Sequence, residues 1–267
     1  MLTQAQHSFY QTFGFLAFRR YFSPDEIGEI SRQFDDLMAE ERHGAPFEGI
    51  KRQIVMEYVE RRQALAALLE DDRIYGVIED LLGPGFVWIP SDGNIYVGDT
   101  EWHPDRREIL PDYSVIKVAF YLDPVRAESG CLRVIPGSHR DPLHSDLLPL
   151  FKHRGEAPAY PFGVQGRDVP AYPIESDPGD VVLFNQNLWH ASYGGGRHRR
   201  MFTLNFSTKP TQPAHVDDHR RNYESALRMV RESPETPRDR VYDPEFLTGG
   251  GPRRRAMLQQ IVEWGFH

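Results

Sequence analysis

The sequence predicts an all-β core with flanking helices, folded as a double-stranded β-helix (a cupin-like jelly roll). Short β-rich runs separated by Pro, Gly and Asp fill the middle of the chain, a pattern typical of sandwiches and jelly rolls. The stretches on either side show helical spacing of apolar residues. Because no linker divides the chain, we expect one domain over residues 1–267, with a mainly helical part at 1–84, the jelly-roll core at 85–209 and a helical extension at 210–267.

The N-terminal part carries two helix signals. Ser23 is a typical N-cap, and Pro24 stands at the first helical position. A second helix, at about 75–82, is predicted to end at Gly83-Pro84. The apolar residues that give the first helix its spacing are Ile27, Ile30, Phe34, Leu37 and Met38.

The middle part is expected to supply the strands of the jelly roll. Its β-rich runs lie at 86–89, 94–97, 115–122, 132–135, 180–184 and 201–207. Beyond residue 210 the pattern returns to helix, at about 223–231 and 253–264. Helices therefore flank a β core on both sides in sequence.

Composition excludes several classes of function. A net charge of −8 argues against a nucleic-acid partner or an anionic membrane surface, since both require a basic face. The single cysteine, Cys131, cannot form a disulfide framework or a thiolate metal cage, which fits a reducing, cytoplasmic setting. The N-terminus lacks a signal-peptide pattern and no apolar run reaches membrane-spanning length, so we expect no membrane insertion.

Three His-x-Asp triplets, at 103–105, 144–146 and 215–217, are candidate metal sites. Two histidines and one carboxylate on one face form the ligand set of mononuclear non-haem iron sites. In an extended segment, residues i and i+2 point the same way and can bind one ion. The triplet at 215–217 follows Pro213 and opens a helical stretch, and the one at 144–146 lies in a Pro-flanked loop. Helix-terminus chemistry explains both of these.

The triplet at 103–105 is the one that fits a metal site. Pro104 restricts His103 to extended geometry, which favours a shared direction for His103 and Asp105. Because proline cannot donate to a sheet ladder, this site should lie at a strand end. His190, which follows the strand-like run at 180–184, is the candidate for the second histidine.

Arginines just after His190 are candidates for binding a dicarboxylate co-substrate, because the guanidinium group binds a carboxylate through two hydrogen bonds. Strand alternation places Arg199 on the polar face of the run at 201–207 and Arg200 on its apolar face. We therefore prefer Arg199 and keep Arg200 as the alternate. The same alternation makes Lys117 a plausible second carboxylate partner.

Taken in order, these motifs make the chain resemble the phytanoyl-CoA dioxygenase family of Fe(II)/2-oxoglutarate oxygenases. The resemblance covers roughly residues 5–209, and the block Ser-Gly-Cys-Leu-Arg-Val-Ile-Pro-Gly-Ser-His at 129–139 is its most distinctive part. The other matching segments are Gly-Phe-Leu at 14–16, Phe-Ser-Pro at 22–24, His-Pro-Asp at 103–105, Pro-Gly-Asp at 178–180, His-Ala-Ser at 190–192 and Arg-Arg at 199–200.

By position, the resemblance implies His103, Asp105 and His190 as iron ligands. It implies that Arg199 binds the distal carboxylate of 2-oxoglutarate, with Ser192 assisting. The arginine follows the distal histidine slightly more closely than is usual in the family, so Arg199 and Arg200 both stay open. The carboxylate ligand disfavours halogenation, since related halogenases have a small residue in its place.

The implied function is a dioxygenase that uses Fe(II), O2 and 2-oxoglutarate on a small-molecule substrate. The expected reaction is hydroxylation of an aliphatic C–H bond, with release of succinate and CO2. One alternative is a cupin-type metal enzyme without 2-oxoglutarate, which the arginine after His190 disfavours. The other is an inactive binding module of the same fold, which the intact ligand set disfavours.

Overall fold

Two antiparallel β-sheets form the centre of the molecule in the computed structural model, which describes residues 1–152, 160–233 and 236–266. The larger sheet has the order β1-β8-β5-β10-β3-β2, and the smaller one has the order β4-β9-β6-β7. This arrangement confirms the predicted jelly roll. The strands are β1 (Phe15–Phe18), β2 (Gln53–Met56), β3 (Val87–Tyr96), β4 (Thr100–His103), β5 (Val115–Tyr121), β6 (Leu132–Val134), β7 (Tyr172–Ile174), β8 (Val181–Asn185), β9 (His190–Ser192) and β10 (Arg199–Ser207).

Helices precede, interrupt and follow the strands. The second helix begins after Ser23, whose hydroxyl accepts from the backbone N–H of Glu26 while the Glu26 carboxylate accepts from that of Ser23, a capping box. The fourth ends at Gly83, as predicted. The helices are α1 (Gln4–Phe13), α2 (Pro24–Glu41), α3 (Gln63–Ala66), α4 (Asp72–Leu82), α5 (Leu143–Asp146), α6 (Leu148–Lys152), α7 (Pro213–Arg231), α8 (Pro244–Thr248) and α9 (Pro252–Glu263).

The N-terminal part contains strands as well as the expected helices. β1 and β2 extend the two edges of the larger sheet, where they pair with β8 and β3. The two predicted runs at 86–89 and 94–97 are one continuous strand, β3. Its pairing with β10 shifts register opposite Pro90, so the strand continues although proline has no N–H to donate. β4, β7 and β9 were not predicted, since segments of three or four residues show too little alternation.

The main hydrophobic core lies between the larger sheet and the helices. Phe202, Leu204 and Phe206 of β10 are buried in it, which confirms the predicted apolar face of this strand. The ring of Phe202 stacks on Phe120 of β5, with 4.6 Å between centroids. Burying each such side chain contributes roughly 1.5–3 kcal/mol. The outer face of the larger sheet is thereby covered, and its inner face is left to line a cavity.

The C-terminal helices pack against the same sheet. α7 contacts β2 and β3, and α9 contacts β3. Within the residues described, no helix is both long enough and apolar enough to span a bilayer.

Candidate metal centre

A cavity of about 140 Å³ lies between the inner faces of the two sheets. Its wall on the larger sheet carries charged and hydroxyl groups, and its wall on the smaller sheet carries histidines. The polar side chains that line it are Arg52, Asp92, Tyr96, Lys117, Tyr121, Arg199 and Thr203 on one side and Thr100, His103, Asp105, His190 and Ser192 on the other.

Three of these residues form a cluster with the dimensions of a metal site. His103 is the last residue of β4 and pairs in register with His190, the first residue of β9. Asp105 follows just beyond the end of β4. One donor atom from each of the three lies within 4.8 Å of the others, and each histidine Nε2 is 3.9 Å from Asp105 Oδ1. Two imidazoles and one carboxylate thus face a common point, as the sequence predicted.

Backbone carbonyls fix the orientation of both imidazole rings. His103 Nδ1 lies 2.7 Å from the carbonyl oxygen of Glu101, and His190 Nδ1 lies 2.8 Å from that of Leu188. Because a carbonyl oxygen can only accept, Nδ1 carries the proton in each ring and Nε2 keeps its lone pair. This is how metal-binding histidines are usually held, with one nitrogen bound to the protein and the other directed at the ion.

Lys117 of β5 controls the charge of the carboxylate. Its ammonium group is 2.8 Å from Asp105 Oδ2. Burial alone would raise the pKa of Asp105, but the charge of Lys117, together with the two histidines, outweighs burial and holds that pKa well below its usual range. Asp105 is therefore an anion ready to bind a cation. The carboxylate that Lys117 contacts here belongs to the protein, whereas the sequence predicted one from the co-substrate.

Arg199 is buried beside this cluster with part of its guanidinium group left over for a ligand. It is 5% exposed, and its Nη1 donates to the carbonyl oxygen of Gly130 at 2.8 Å and to Ser192 Oγ at 2.6 Å. Its Nε has no hydrogen-bond acceptor in the described part of the chain. A buried donor without an acceptor is costly, so this nitrogen fits a carboxylate brought by a ligand.

Gly130 makes room for this arginine. A Cβ added to Gly130 would lie 1.9 Å from Arg199 Nη1, and the residue has a φ of +89°, which side chains rarely adopt. Gly195 approaches the same nitrogen, at 2.8 Å from an added Cβ. Gly130, in the block at 129–139, is thus required because any side chain there would collide with Arg199.

Arg200 lies on the opposite face of β10, away from the cavity. Its guanidinium group forms ion pairs with Asp123 at 2.7 Å and Asp35 at 2.8 Å. Both of its carboxylate partners belong to the protein. Of the two candidates that the sequence left open, the structure brings only Arg199 to the histidine cluster.

A family model described as phytanoyl-CoA dioxygenase (PhyH) matches residues 10–202. The chain belongs to this family. Ectoine dioxygenase of Streptomyces coelicolor is 29% identical over 142 residues, which are 48% of this chain and 48% of that protein. Peroxisomal phytanoyl-CoA dioxygenase of Rattus norvegicus is 24% identical over 230 residues, which are 74% of this chain and 65% of that protein.

The present chain therefore spans about half to two thirds of the length of these curated relatives. Among solved structures, that of EctD from S. alaskensis with 2-oxoglutarate and 5-hydroxyectoine has a TM-score of 0.59 and 22% identity. The match covers 77% of this chain and 76% of that one. This likeness agrees with the jelly-roll fold of the family.

The other histidines singled out in the sequence have structural contacts. His144 is buried, and its ring nitrogens lie 2.9–3.1 Å from backbone carbonyl oxygens. His215 lies in the first turn of α7, stacks on Tyr113 and contacts the carbonyl oxygen of Pro111. His139, in the family block, packs where a Cβ on Gly14 would be 2.6 Å from its Nδ1.

Side chains of α7, which lies beyond the family match, form ion pairs with the segment that follows Asp105. Arg106, the neighbour of Asp105, forms an ion pair with Asp218 of α7, and both side chains are buried. Tyr113 also donates to Asp218, and Arg106 Nε donates to Gln186 Oε1. The extension therefore anchors the segment that presents the carboxylate, a role that its sequence pattern did not indicate.

Two charged residues of the cavity were missed in the sequence. Arg52 comes from the segment before β2, a strand that was not predicted, and Asp92 lies between two runs that were treated as separate strands. A better reading of β3 as one strand would have placed Asp92 on the inner face with Tyr96, because residues four apart in a strand share a face.

A second, larger cleft of about 720 Å³ lies at the C-terminal helices. It is lined by charged residues of both signs, among them Glu57, Arg61, Arg238 and Arg254. In the described ranges, the grouping of possible metal ligands is that of the smaller cavity. The candidate metal centre is therefore the cavity between the sheets.

Proposed function

We propose that this protein is a non-haem Fe(II)- and 2-oxoglutarate-dependent dioxygenase. The observation that carries the proposal is the meeting, in one cavity, of the His103–Asp105–His190 cluster and the buried Arg199 with its spare donor. Membership of the phytanoyl-CoA dioxygenase family supports the same activity. The ligand set is that of iron sites with open positions for other ligands.

The residues present fit the metal and the co-substrate. Nε2 of His103, Nε2 of His190 and a carboxylate oxygen of Asp105 would hold Fe(II). Arg199 would bind the distal carboxylate of 2-oxoglutarate, with the Ser192 hydroxyl keeping the guanidinium group in place. When bound, these groups supply oxidation of a C–H bond by O2, coupled to conversion of 2-oxoglutarate to succinate and CO2.

The protein's own contribution is orientation and exclusion of water. Nδ1 of each histidine donates its proton to a backbone carbonyl oxygen, and this hydrogen bond keeps Nε2 directed at the metal position. Lys117 keeps Asp105 ionised. Apolar side chains, including Leu132, Phe184 and Met201, line the rest of the cavity. A dry site strengthens each charge interaction within it.

The substrate is proposed to be a small molecule that is hydroxylated at an aliphatic C–H bond. Ectoine dioxygenase among the relatives supports a small substrate. The cavity volume of about 140 Å³ also supports a small substrate, because typical ligand pockets are roughly 300–1,000 Å³ and this cavity must hold the co-substrate as well.

The test is anaerobic titration of the metal-free protein with Fe(II) and then 2-oxoglutarate, followed by visible absorption. We expect the weak charge-transfer band of an iron-chelated 2-oxo acid, and its loss in His103→Ala. His198→Ala is the matched control, because His198 is exposed and lies outside the cavity. A folded, iron-loaded parent without the band would contradict the proposal and favour a metal enzyme that does not use 2-oxoglutarate.

A further inference from the structure

Arg52 stands at the mouth of the cavity in a fixed position. It is exposed to solvent and lines the cavity. Its Nε and Nη2 donate to Asn94 Oδ1 at 2.8 and 2.5 Å, and its guanidinium carbon lies 4.1 Å from the centroid of the Tyr96 ring. A guanidinium group stacked and hydrogen-bonded in this way is already oriented before a ligand arrives.

The other polar side chains of this wall form hydrogen bonds with one another. Asn94 accepts from Arg52 through Oδ1 and donates through Nδ2 to Asp92, which also accepts from Thr203 Oγ1. The side-chain hydrogen bonds of Arg52 thus go to a neutral amide. Lys117, by contrast, has the carboxylate of Asp105 as its partner. Within the described ranges, Arg52 has no carboxylate partner, and its charge is permanent.

The balance of charge in the cavity points the same way. Two carboxylates, Asp92 and Asp105, face three cations, Arg52, Lys117 and Arg199. A divalent metal and a dianionic co-substrate cancel each other when both bind. The loaded cavity would then keep one surplus positive charge, and Arg52 is the cation nearest solvent. An anion that enters this partly desolvated mouth gains more from that charge than it would in water.

We propose that Arg52 binds an anionic group of the primary substrate, a carboxylate or a phosphate ester, and that this substrate is a small organic anion. This inference rests on the dioxygenase function proposed above. The anionic group stays at the mouth, because the cavity of about 140 Å³ must also hold the co-substrate. The reacting carbon then points inward, toward the cluster formed by His103, Asp105 and His190.

The experiment uses the full chain loaded with Fe(II) and 2-oxoglutarate and measures succinate formation. The probes are short aliphatic carboxylic acids and phosphate esters, each paired with the neutral amide or alcohol and the amine of the same carbon skeleton. We expect compounds that raise the rate tenfold or more to be anions. Whether carboxylates or phosphate esters do so identifies the group that is recognised.

Variants test the residue itself. In Arg52→Gln we expect the KM of a stimulating anion to rise about tenfold to hundredfold, as for the loss of a charged hydrogen bond, with kcat changed much less. Arg52→Lys, which keeps the charge, should recover part of this loss. Lys51→Gln is the matched control, because Lys51 is the exposed neighbour outside the cavity, and its KM should equal that of the parent.

Several outcomes would overturn the proposal. They are equal stimulation by the neutral partners, stimulation by no anion, an unchanged KM in Arg52→Gln, or a raised KM for 2-oxoglutarate in that variant, which would make Arg52 a co-substrate ligand. Failure of the dioxygenase function itself is distinguished by absence of the charge-transfer band in the parent. A parent that shows the band but is not stimulated by anions contradicts only the role of Arg52.

Discussion

Replacing Gly130 by alanine should weaken the proposed binding of 2-oxoglutarate by Arg199 without contacting His103, Asp105 or His190. The added Cβ would lie 1.9 Å from Arg199 Nη1, far inside contact distance, so the guanidinium group must move. It would then lose its hydrogen bonds to the Gly130 carbonyl and to Ser192. A hydrogen bond to a charged group contributes about 1.5–3 kcal/mol, which corresponds to roughly a 10- to 150-fold weaker affinity for 2-oxoglutarate.

Backbone strain is a separate effect of the same substitution and has its own control. Gly130 has a φ of +89°, and a side chain in the left-handed region costs about 1–2 kcal/mol of stability. Gly44 has a φ of +78° with nothing within 4 Å of an added Cβ. Gly44→Ala should therefore lose similar stability and keep its affinity for 2-oxoglutarate.

The assay is titration of the iron-loaded, oxygen-free protein with 2-oxoglutarate, with the free energy of unfolding measured by urea in parallel. If Gly130→Ala binds 2-oxoglutarate as tightly as the parent, then Arg199 is not held by the contact described, and the reasoning fails. If Gly44→Ala weakens binding equally, the loss is due to backbone strain alone.

Three further predictions concern other parts of the site. Arg199→Gln should weaken 2-oxoglutarate binding by roughly 10- to 150-fold while Arg200→Gln leaves it unchanged, as judged by the same titration. Asp218→Asn should lower the free energy of unfolding, measured with urea, by about 3 kcal/mol, because it leaves the buried Arg106 without its carboxylate partner. The same substitution should weaken metal binding. Asp217→Asn, at an exposed position, should change neither quantity. Burial lowers the pKa of His139 to about 4, so between pH 6.5 and 4 the unfolded chain binds a proton that the folded protein does not. Stability should fall by about 3 kcal/mol as the pH drops through that window, and His139→Gln should show a shallower slope by thermal unfolding at each pH.

Much of the site's outline could be predicted from local pattern. The extended geometry imposed by Pro104 on its neighbour indicated that His103 and Asp105 would face one way. Alternation along β10 separated Arg199 from Arg200, and the structure places the two on opposite faces. These predictions succeeded because each depends on residues within one segment.

Contacts between segments could not be predicted in the same way. The approach of Lys117 to Asp105 depends on how β5 lies relative to the end of β4, which no alternation pattern specifies. The position of Arg52 depends on β2 joining the edge of the larger sheet beside β3. The ion pair between Asp218 of α7 and Arg106 joins residues that are 112 positions apart in sequence.

The sequence by itself determined the fold class, the candidate metal ligands and the face of β10 on which Arg199 lies. Those features follow from periodicity and from an ordered set of motifs. The tertiary structure decided which groups meet: His103 opposite His190, Gly130 against Arg199, and Arg52 at the mouth. Strand register and packing across the core determine which side chains come into contact. Both depend on all of the segments at once, whereas a local sequence pattern describes a single segment.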